Sequence, residues 1–442
     1  MAFPPGPSLA LLQSYNWITR AYPYLDECAA KYGDPFAIEF PGFGRFVLVS
    51  NPEAIKEIFL ASPEVMRAGQ GNEILRPVLG DNSLLLLDGE KHKRQRQLMT
   101  PPFHGARMRA YGDDILRVAR ERLSRWKAGE ELSVHPTMQE ISLEVILHAV
   151  FGVGDDPEYP RYKALLARAL ESLGSAALFI KALQVDLGPI TPWGRYRDAA
   201  EQLERMLNAE LTRRRETGLA ERKDILSLMM SARDESGQPM TDTELREEAF
   251  TLLTAGHETT ATALAWALFW IHSVPGVRER LVNELKALGE NPTTEAVTAC
   301  AYLDAVCQET LRLYPIIPIV ARKLSTPFTV MGYELPAGAT VAPCIYLTHR
   351  REDLYPEPTA FKPERFLARK FSPYEYLPFG GGVRRCIGAP FALYEMKLVL
   401  WEVMRRFELE LDMSPEPRAV RRSVTLAPAE GTRVKVRRVL TT

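Results

Sequence analysis

Residues 379–388, Phe-Gly-Gly-Gly-Val-Arg-Arg-Cys-Ile-Gly, constrain this 442-residue chain more than any other stretch. A glycine-rich loop delivers one cysteine, Cys386, to the start of an apolar segment over 389–407 whose spacing predicts a helix. Three consecutive glycines take backbone conformations closed to residues with a Cβ, and can come close to something flat. A cysteine at a helix N-terminus feels the positive end of the macrodipole. That favours the thiolate, the form that ligates a metal. The same residues also suit a buried structural cysteine after a tight turn, and the loop alone leaves both readings open.

Length would suggest about three domains at the usual ~150 residues each. No Gly/Ser tract, long charge block or repeat marks a linker, so a single domain over 1–442 is expected. The net charge of -1 gives no electrostatic case for nucleic acid. The five cysteines (Cys28, Cys300, Cys307, Cys344, Cys386) show no Cys-x-x-Cys spacing. That argues against a disulfide framework or a zinc site, and for a reducing, cytoplasmic setting. The N-terminal Met-Ala-Phe-Pro-Pro-Gly-Pro-Ser lacks a charged region followed by an apolar run. No window reaches the ~18 apolar residues of a membrane span, so no transmembrane anchor is expected.

Along the chain, residues 15–32 read as one amphipathic helix ending at Gly33. Two apolar runs at 36–40 and 46–49 bracket Pro-Gly-Phe-Gly and read as a hairpin. Asn51 and Pro52 open a helix to Leu60. The run 88–96 is crowded with cations and for the most part reads as a solvated helix face; within it His92 and Arg96 are four apart and share one face. Residues 113–218 are a succession of helical patterns, broken near Gly129, 152–154 and 188–194. The arms 332–338 and 340–342 read as a hairpin, and 433–437 as an exposed strand. The architecture expected is mainly α with a smaller β region at about 33–60, 316–345 and the C-terminal strands.

Thr241 and Glu244 have the form of a capping box, opening a helix to about residue 273. At 1.5 Å per residue it is roughly 50 Å long, enough to cross a globular protein. Its middle carries Ala-Gly-His-Glu-Thr-Thr-Ala-Thr at 255–262. Glycine and threonine are poor helix formers, so a polar patch here needs a reason; locally satisfied core residues are the bland one. Further on, Glu309 and Arg312 stand one turn apart among apolar residues.

Taken together these motifs resemble the cytochrome P450 family, over nearly the whole chain and in the family's order. The loop matches its Phe-x-x-Gly-x-Arg-x-Cys-x-Gly pattern at every fixed position. The resemblance implies one fold, with haem b between the long helix and the helix after the cysteine loop. It implies Cys386 as iron ligand, with Phe379 and Gly388 beside it, and Arg384, His92, Arg96 and Arg322 at the haem propionates. Glu258 and Thr259 match the family's acid–alcohol pair that handles protons during O2 activation. Ala255 and Gly256 would leave room for O2. Glu309, Arg312 and Arg365 of Pro-Glu-Arg-Phe would form a buried structural triad.

The resemblance further implies a monooxygenase acting on a hydrophobic small molecule. A pocket of Ile74, Leu75, Leu84, Leu85, Ala255, Ile316, Ile317 and Ile319 would favour a fatty acid or terpenoid. The apolar segment 170–187 would be a lid. With no reductase, flavin or GxGxxG module, electrons would come from a ferredoxin or flavodoxin docking near Lys91, Lys93, Arg94 and Arg385. A monomer is expected. The competing readings are a peroxygenase or isomerase needing no electron partner, and a non-catalytic haem sensor; a complete acid–threonine pair argues against both.

Overall fold

The helix Asp242–Ser273 is the axis around which the other elements pack. Its capping box forms: Thr241 Oγ1 accepts from Glu244 N at 3.2 Å, and Glu244 Oε2 accepts from Thr241 N at 2.7 Å. Leu264, Ala265, Trp266, Ala267 and Leu268, consecutive in its second half and so spread around the axis, have no exposed surface, as in a helix enclosed on every face. The helix Val134–Phe151 crosses it, and Ala389–Arg406, the helix after the cysteine, packs beside it. This computed structural model describes residues 3–103, 105–152, 159–173, 184–219, 222–413, 418–422 and 424–440 (the side chains of 106–107 and 170–173 apart).

The β structure lies to one side of this helical mass. A five-stranded sheet has the order Phe36–Phe40, Gly44–Val49, Thr340–Pro343, Arg322–Leu324, Met66–Arg67. Gly44–Val49 and Thr340–Pro343 run parallel, with Leu48 opposite Ala342; the other neighbours are antiparallel. A second sheet places Arg433–Val439 between Glu131–Ser133 and Phe407–Leu411. The fold is mainly helical with small sheets.

Several local expectations need correcting. Residues 15–32 are two helices, Ala10–Thr19 and Ala21–Tyr32, because Arg20 leaves helical backbone at φ -152°, ψ 51°. The arms around residue 336 do not pair with each other. Tyr333–Leu335 pairs with Phe328–Val330, whereas Thr340–Pro343 joins the five-stranded sheet. The C-terminal strand is central to its sheet: Val434 and Val436 are buried, and its charges lie on the other face. By contrast Asn51 caps Pro52–Leu60, accepting from Glu53 N and Ala54 N at 3.0 and 3.2 Å.

Candidate functional site

The cysteine loop is held by its own backbone and by one aromatic ring. Cys386 N donates to Phe379 O at 2.9 Å, which closes the loop. Gly380 and Gly382 have φ of 65° and 62°, the left-handed region glycine tolerates. A Cβ on Gly381 would stand 2.3 Å from the Phe59 ring, and one on Gly382 2.8 Å from Phe59 O. Thus the flat partner that these glycines admit is Phe59, at the end of Pro52–Leu60.

Cys386 presents accessible surface although protein encloses it deeply, so its sulfur faces an internal hollow. Burial pushes its thiol up; the Gly388 N–H, the Arg96 and Arg385 charges and the Ala389 N–H pull the other way. In the protein alone desolvation therefore outweighs the helix end. Two N–H groups aimed at a desolvated sulfur suit a ligand thiolate, whose charge a bound metal ion would balance.

At the edge of this region four basic side chains converge from three parts of the chain. His92 and Arg96 lie on Gly89–Met99, Arg322 opens Arg322–Leu324, and Arg384 ends the turn Gly382–Arg384. Burial, then the charges of Arg384, Arg96 and Arg322, push His92 down to about 3. Burial and Arg384 push Arg322 down to about 10, and burial likewise lowers Arg384 to about 10. Asp88 is the carboxylate that faces them, 2.6 Å from Arg384 Nη2. Arg384 also donates to the carbonyls of Leu84 and Leu87, and Arg96 Nη2 donates to Arg385 O at 2.7 Å. Among the described residues, the Arg322 guanidinium donates only to Ala321 O, at 2.8 Å. A buried cluster of cations short of anions fits a group bearing carboxylates, such as the two propionates of haem. Among the described residues there is no alternative metal cluster of His, Cys, Asp and Glu.

On the long helix, Ala255 is exposed and Thr254, Gly256, Glu258 and Thr259 around it are half-buried, in contrast to the buried run 251–253 before it, so the helix opens there. Thr259, one turn on, donates Oγ1–H to Ala255 O at 2.7 Å. Gly256 faces elsewhere: its missing Cβ would stand 3.0 Å from Ile146 Cδ1, so the space it leaves admits the crossing helix. Thr260 donates to Gly256 O at 3.1 Å. Glu258 also turns toward the crossing helix, where Gln139 Nε2 donates to its Oε2 at 2.7 Å. Burial raises its pKa, against the Gln139 hydrogen bond, the Arg422 charge and the Thr262 hydrogen bond. His257 is buried away from this opening and held down at about 4 by burial. Gln139 is a partner that the motifs do not announce; its signal is the spacing His135-Gln139-Ser142, one face of a helix that also carries Thr137, Glu140, Glu144 and His148.

The structure brings Glu309, Arg312 and Arg365 together. Arg312 donates to both Glu309 oxygens at 2.6 and 2.8 Å, and Arg365 Nε to Oε1 at 3.1 Å. The pocket residues divide. Leu84 and Ile316 are buried, and Leu75 and Leu85 are half-buried against the same core. Ile317 is half-buried, Ile74 is exposed, and Ile319 packs against the cluster around Tyr22 and Leu25. Of the expected lid, residues 174–183 lie outside the described residues. Among the docking cations, Arg94 is committed internally to Asp234 at 2.6 Å and Glu244 at 3.0 Å. Lys93 lies 3.5 Å from Glu90, while Lys91 and Arg385 are exposed.

A cysteine-centred hollow beside a long helix, rimmed by buried cations, defines a haem-thiolate protein class. The Cytochrome P450 family model matches residues 4–436, and the chain belongs to that family. It is 39% identical over 441 residues to cytochrome P450 135B1 of Mycobacterium tuberculosis, covering 99% of this chain and 92% of that protein. Cytochrome P450 135A1 of the same organism is 36% identical over 439 residues, covering 98% and 95%. Among solved structures, retinoic acid bound cyanobacterial CYP120A1 superposes with a TM-score of 0.86 at 27% identity, covering 99% of this chain and all (100%) of that one. The protein is a cytochrome P450 monooxygenase, an oxidoreductase whose cofactor is haem iron. Among the described residues no helix is long and apolar enough to cross a membrane.

Proposed function

We propose that this single-domain, cytoplasmic enzyme inserts one atom of O2 into an unactivated C–H or C=C bond of a fatty acid or terpenoid. For hydroxylation the balance is RH + O2 + 2 e⁻ + 2 H⁺ giving ROH and H2O, with the electrons supplied by an external ferredoxin or flavodoxin. The observation that carries this reading is the opening of the long helix at Ala255 and Thr259, with the Glu258 carboxyl on the adjacent face. Bound haem supplies the one-electron and O2 chemistry. Cys386 would hold it from the sulfur side, and Arg96, Arg322, Arg384 and His92 would anchor its propionates. The two protons are the task of Glu258 and Thr259: the carboxyl holds a proton at Oε1 or Oε2, and the Thr259 hydroxyl orients it toward the opening.

Apolar walls near Leu84, Leu85 and Ile316 support a hydrophobic substrate, whose binding would exclude water from the Thr259 hydroxyl. Retinoic acid in the cyanobacterial relative, an apolar isoprenoid acid, supports the terpenoid choice. The test is a spectral-shift screen of lipids and terpenes, followed by turnover of the hits with NADPH, a ferredoxin and its reductase. Oxygenated product bearing label from ¹⁸O2 is expected. Product with peroxide but none with reductant would overturn the reading.

A further inference from the structure

Glu258 does not stand free above the opening. Two residues of the crossing helix Val134–Phe151, one turn apart, reach it. Gln139 Nε2 donates to Glu258 Oε2 at 2.7 Å, and His135 Nε2 lies 3.5 Å from Oε1. Thr262 Oγ1 is 3.4 Å from the same Oε1 and 3.3 Å from His135 Nε2, so imidazole, hydroxyl and carboxyl form one closed set. His135 has no exposed surface, and its Nδ1 has no partner among the described residues. The same holds for Nδ1 of His257, whose ring hydrogen-bonds the backbone of Gln139. Gln139 thus ties down two consecutive residues of the long helix, with its side chain and with its main chain. Buried polar atoms without protein partners are where ordered water is held.

Resting on the monooxygenase reading, we propose that Gln139 and His135 are positioning residues for proton delivery. They hold the Glu258 carboxyl away from the opening, beside buried water, so that a proton moves inward only through a controlled turn of that side chain. The groups around Glu258 come from every neighbouring element: Gln139 and His135 on the crossing helix, His257 and Thr262 on its own, and Arg422 on the strand Ala419–Arg422. The imidazole stays neutral, because burial and then Arg422 and His257 hold it down at about 3. A neutral Nε2–H can donate to the carboxyl without adding a charge that would fix it as carboxylate. The amide of Gln139 acts likewise, binding either protonation state through its donor or its oxygen. Helix packing alone would need neither property; an apolar pair would serve.

The experiment uses holoenzyme. Gln139→Met keeps the side-chain length and removes the amide. Product per NADPH should fall about tenfold and peroxide rise, with NADPH consumption changed by less than about twofold. The pH profile of coupling and its solvent isotope effect should both change, and Gln139→Glu should recover coupling toward low pH, where its carboxyl can donate. Unchanged coupling, isotope effect and pH profile, with only the melting temperature lowered, overturn the proposal. A second arm does not need turnover. The chain has seven histidines, so histidine-selective ¹⁵N NMR of the ferrous carbonyl form resolves His135. Its ring should remain neutral over about pH 5 to 8 and its nitrogen shifts should move in Glu258→Gln. Ring titration in that range, or indifference to Glu258→Gln, overturns the proposal even if Gln139→Met does not fold. Absence of product in the wild type with these NMR shifts intact would reject the monooxygenase reading and leave the clamp standing.

Discussion

Arg384 Nη2 lies 2.6 Å from Asp88 Oδ1, and this ion pair is the anionic counterweight of a buried basic cluster. Arg322 shares the cluster at 6% exposure and has lost water without gaining a carboxylate of its own. Its cost in the haem-free protein and its usefulness to a carboxylate-bearing cofactor are two sides of one fact. Arg322→Met should therefore act with opposite signs. Urea unfolding of the apoprotein should show it more stable by about 1–4 kcal/mol, the scale on which removal of buried charge registers. Haem transfer from the holoprotein to an acceptor globin should be at least about tenfold faster. A less stable apoprotein would mean that Arg322 is already satisfied without the cofactor.

Glu309 and Arg312 have no exposed side-chain surface, and Arg365 completes the set at 10%. Glu309 Oε1 also accepts from Lys362 N at 2.8 Å, so the carboxylate joins the helix Ala301–Leu313 to the segment before Glu364–Ala368. Glu309→Gln would leave two guanidiniums facing a neutral amide. The expected loss is about 3–5 kcal/mol by denaturant unfolding, with little properly folded protein recovered at 37 °C. Arg365→Ala should lose less, since Arg312 still closes the pair.

These parts differ in how far the sequence announces them. The capping box at Thr241, the cap at Asn51 and the Glu309–Arg312 pair are local: donor and acceptor sit within one helical turn, so spacing is enough. The cysteine loop was equally visible, but not the ring it admits, because Phe59 lies more than three hundred residues upstream and nothing near Gly381 encodes it. Strand partners failed for the same reason: Thr340–Pro343 follows Tyr333–Leu335 closely yet pairs with Gly44–Val49, a non-local choice made by burial. Arg20 breaks a helix although arginine is a good helix former; the signal for the corner is Pro23, which has no N–H for the Thr19 carbonyl and fits only the first turn of a new helix. At the site, Glu258 and Thr259 were legible as a motif, whereas Gln139 and His135 are two of several polar positions on their helix, and nothing local marks them out.

Glu248, a turn and a half into the long helix, is fully buried and faces Gln95 and the Leu84 backbone. Burial raises its carboxyl to about 8, against the pull of those two groups. The unfolded chain ionises near the ordinary ~4.3. A raised folded-state value means that stability is fully present below about pH 4 and is lost as pH rises toward 8. Glu248→Gln keeps the shape and abolishes the titration. Wild-type stability should fall between about pH 5 and 8, by at most ~1.4 kcal/mol per pH unit for this group, and the variant should fall less steeply. Parallel curves for the two proteins would show that Glu248 is hydrated.

Thr259 offers the most direct assay of the opening in the long helix. Its Oγ1–H donates to Ala255 O at 2.7 Å, a bond inside its own helix that it can release when a better acceptor or a water enters. Thr259→Ala removes this hydroxyl together with the γ-methyl and leaves the helix backbone unchanged, so haem content and melting temperature should stay near those of the wild type. Electrons should still arrive, and NADPH consumption should change by less than about twofold. Without the hydroxyl to direct the second proton, product per NADPH should fall about tenfold and peroxide should make up the difference. Thr259→Ser restores an O–H at the same atom and should recover most of the coupling. Stopped assays counting product, peroxide and NADPH together decide it: equal coupling in all three proteins would place the relay on Glu258 and water without Thr259. Low coupling in both variants would assign the threonine methyl, and hence packing against Ala255, the dominant part.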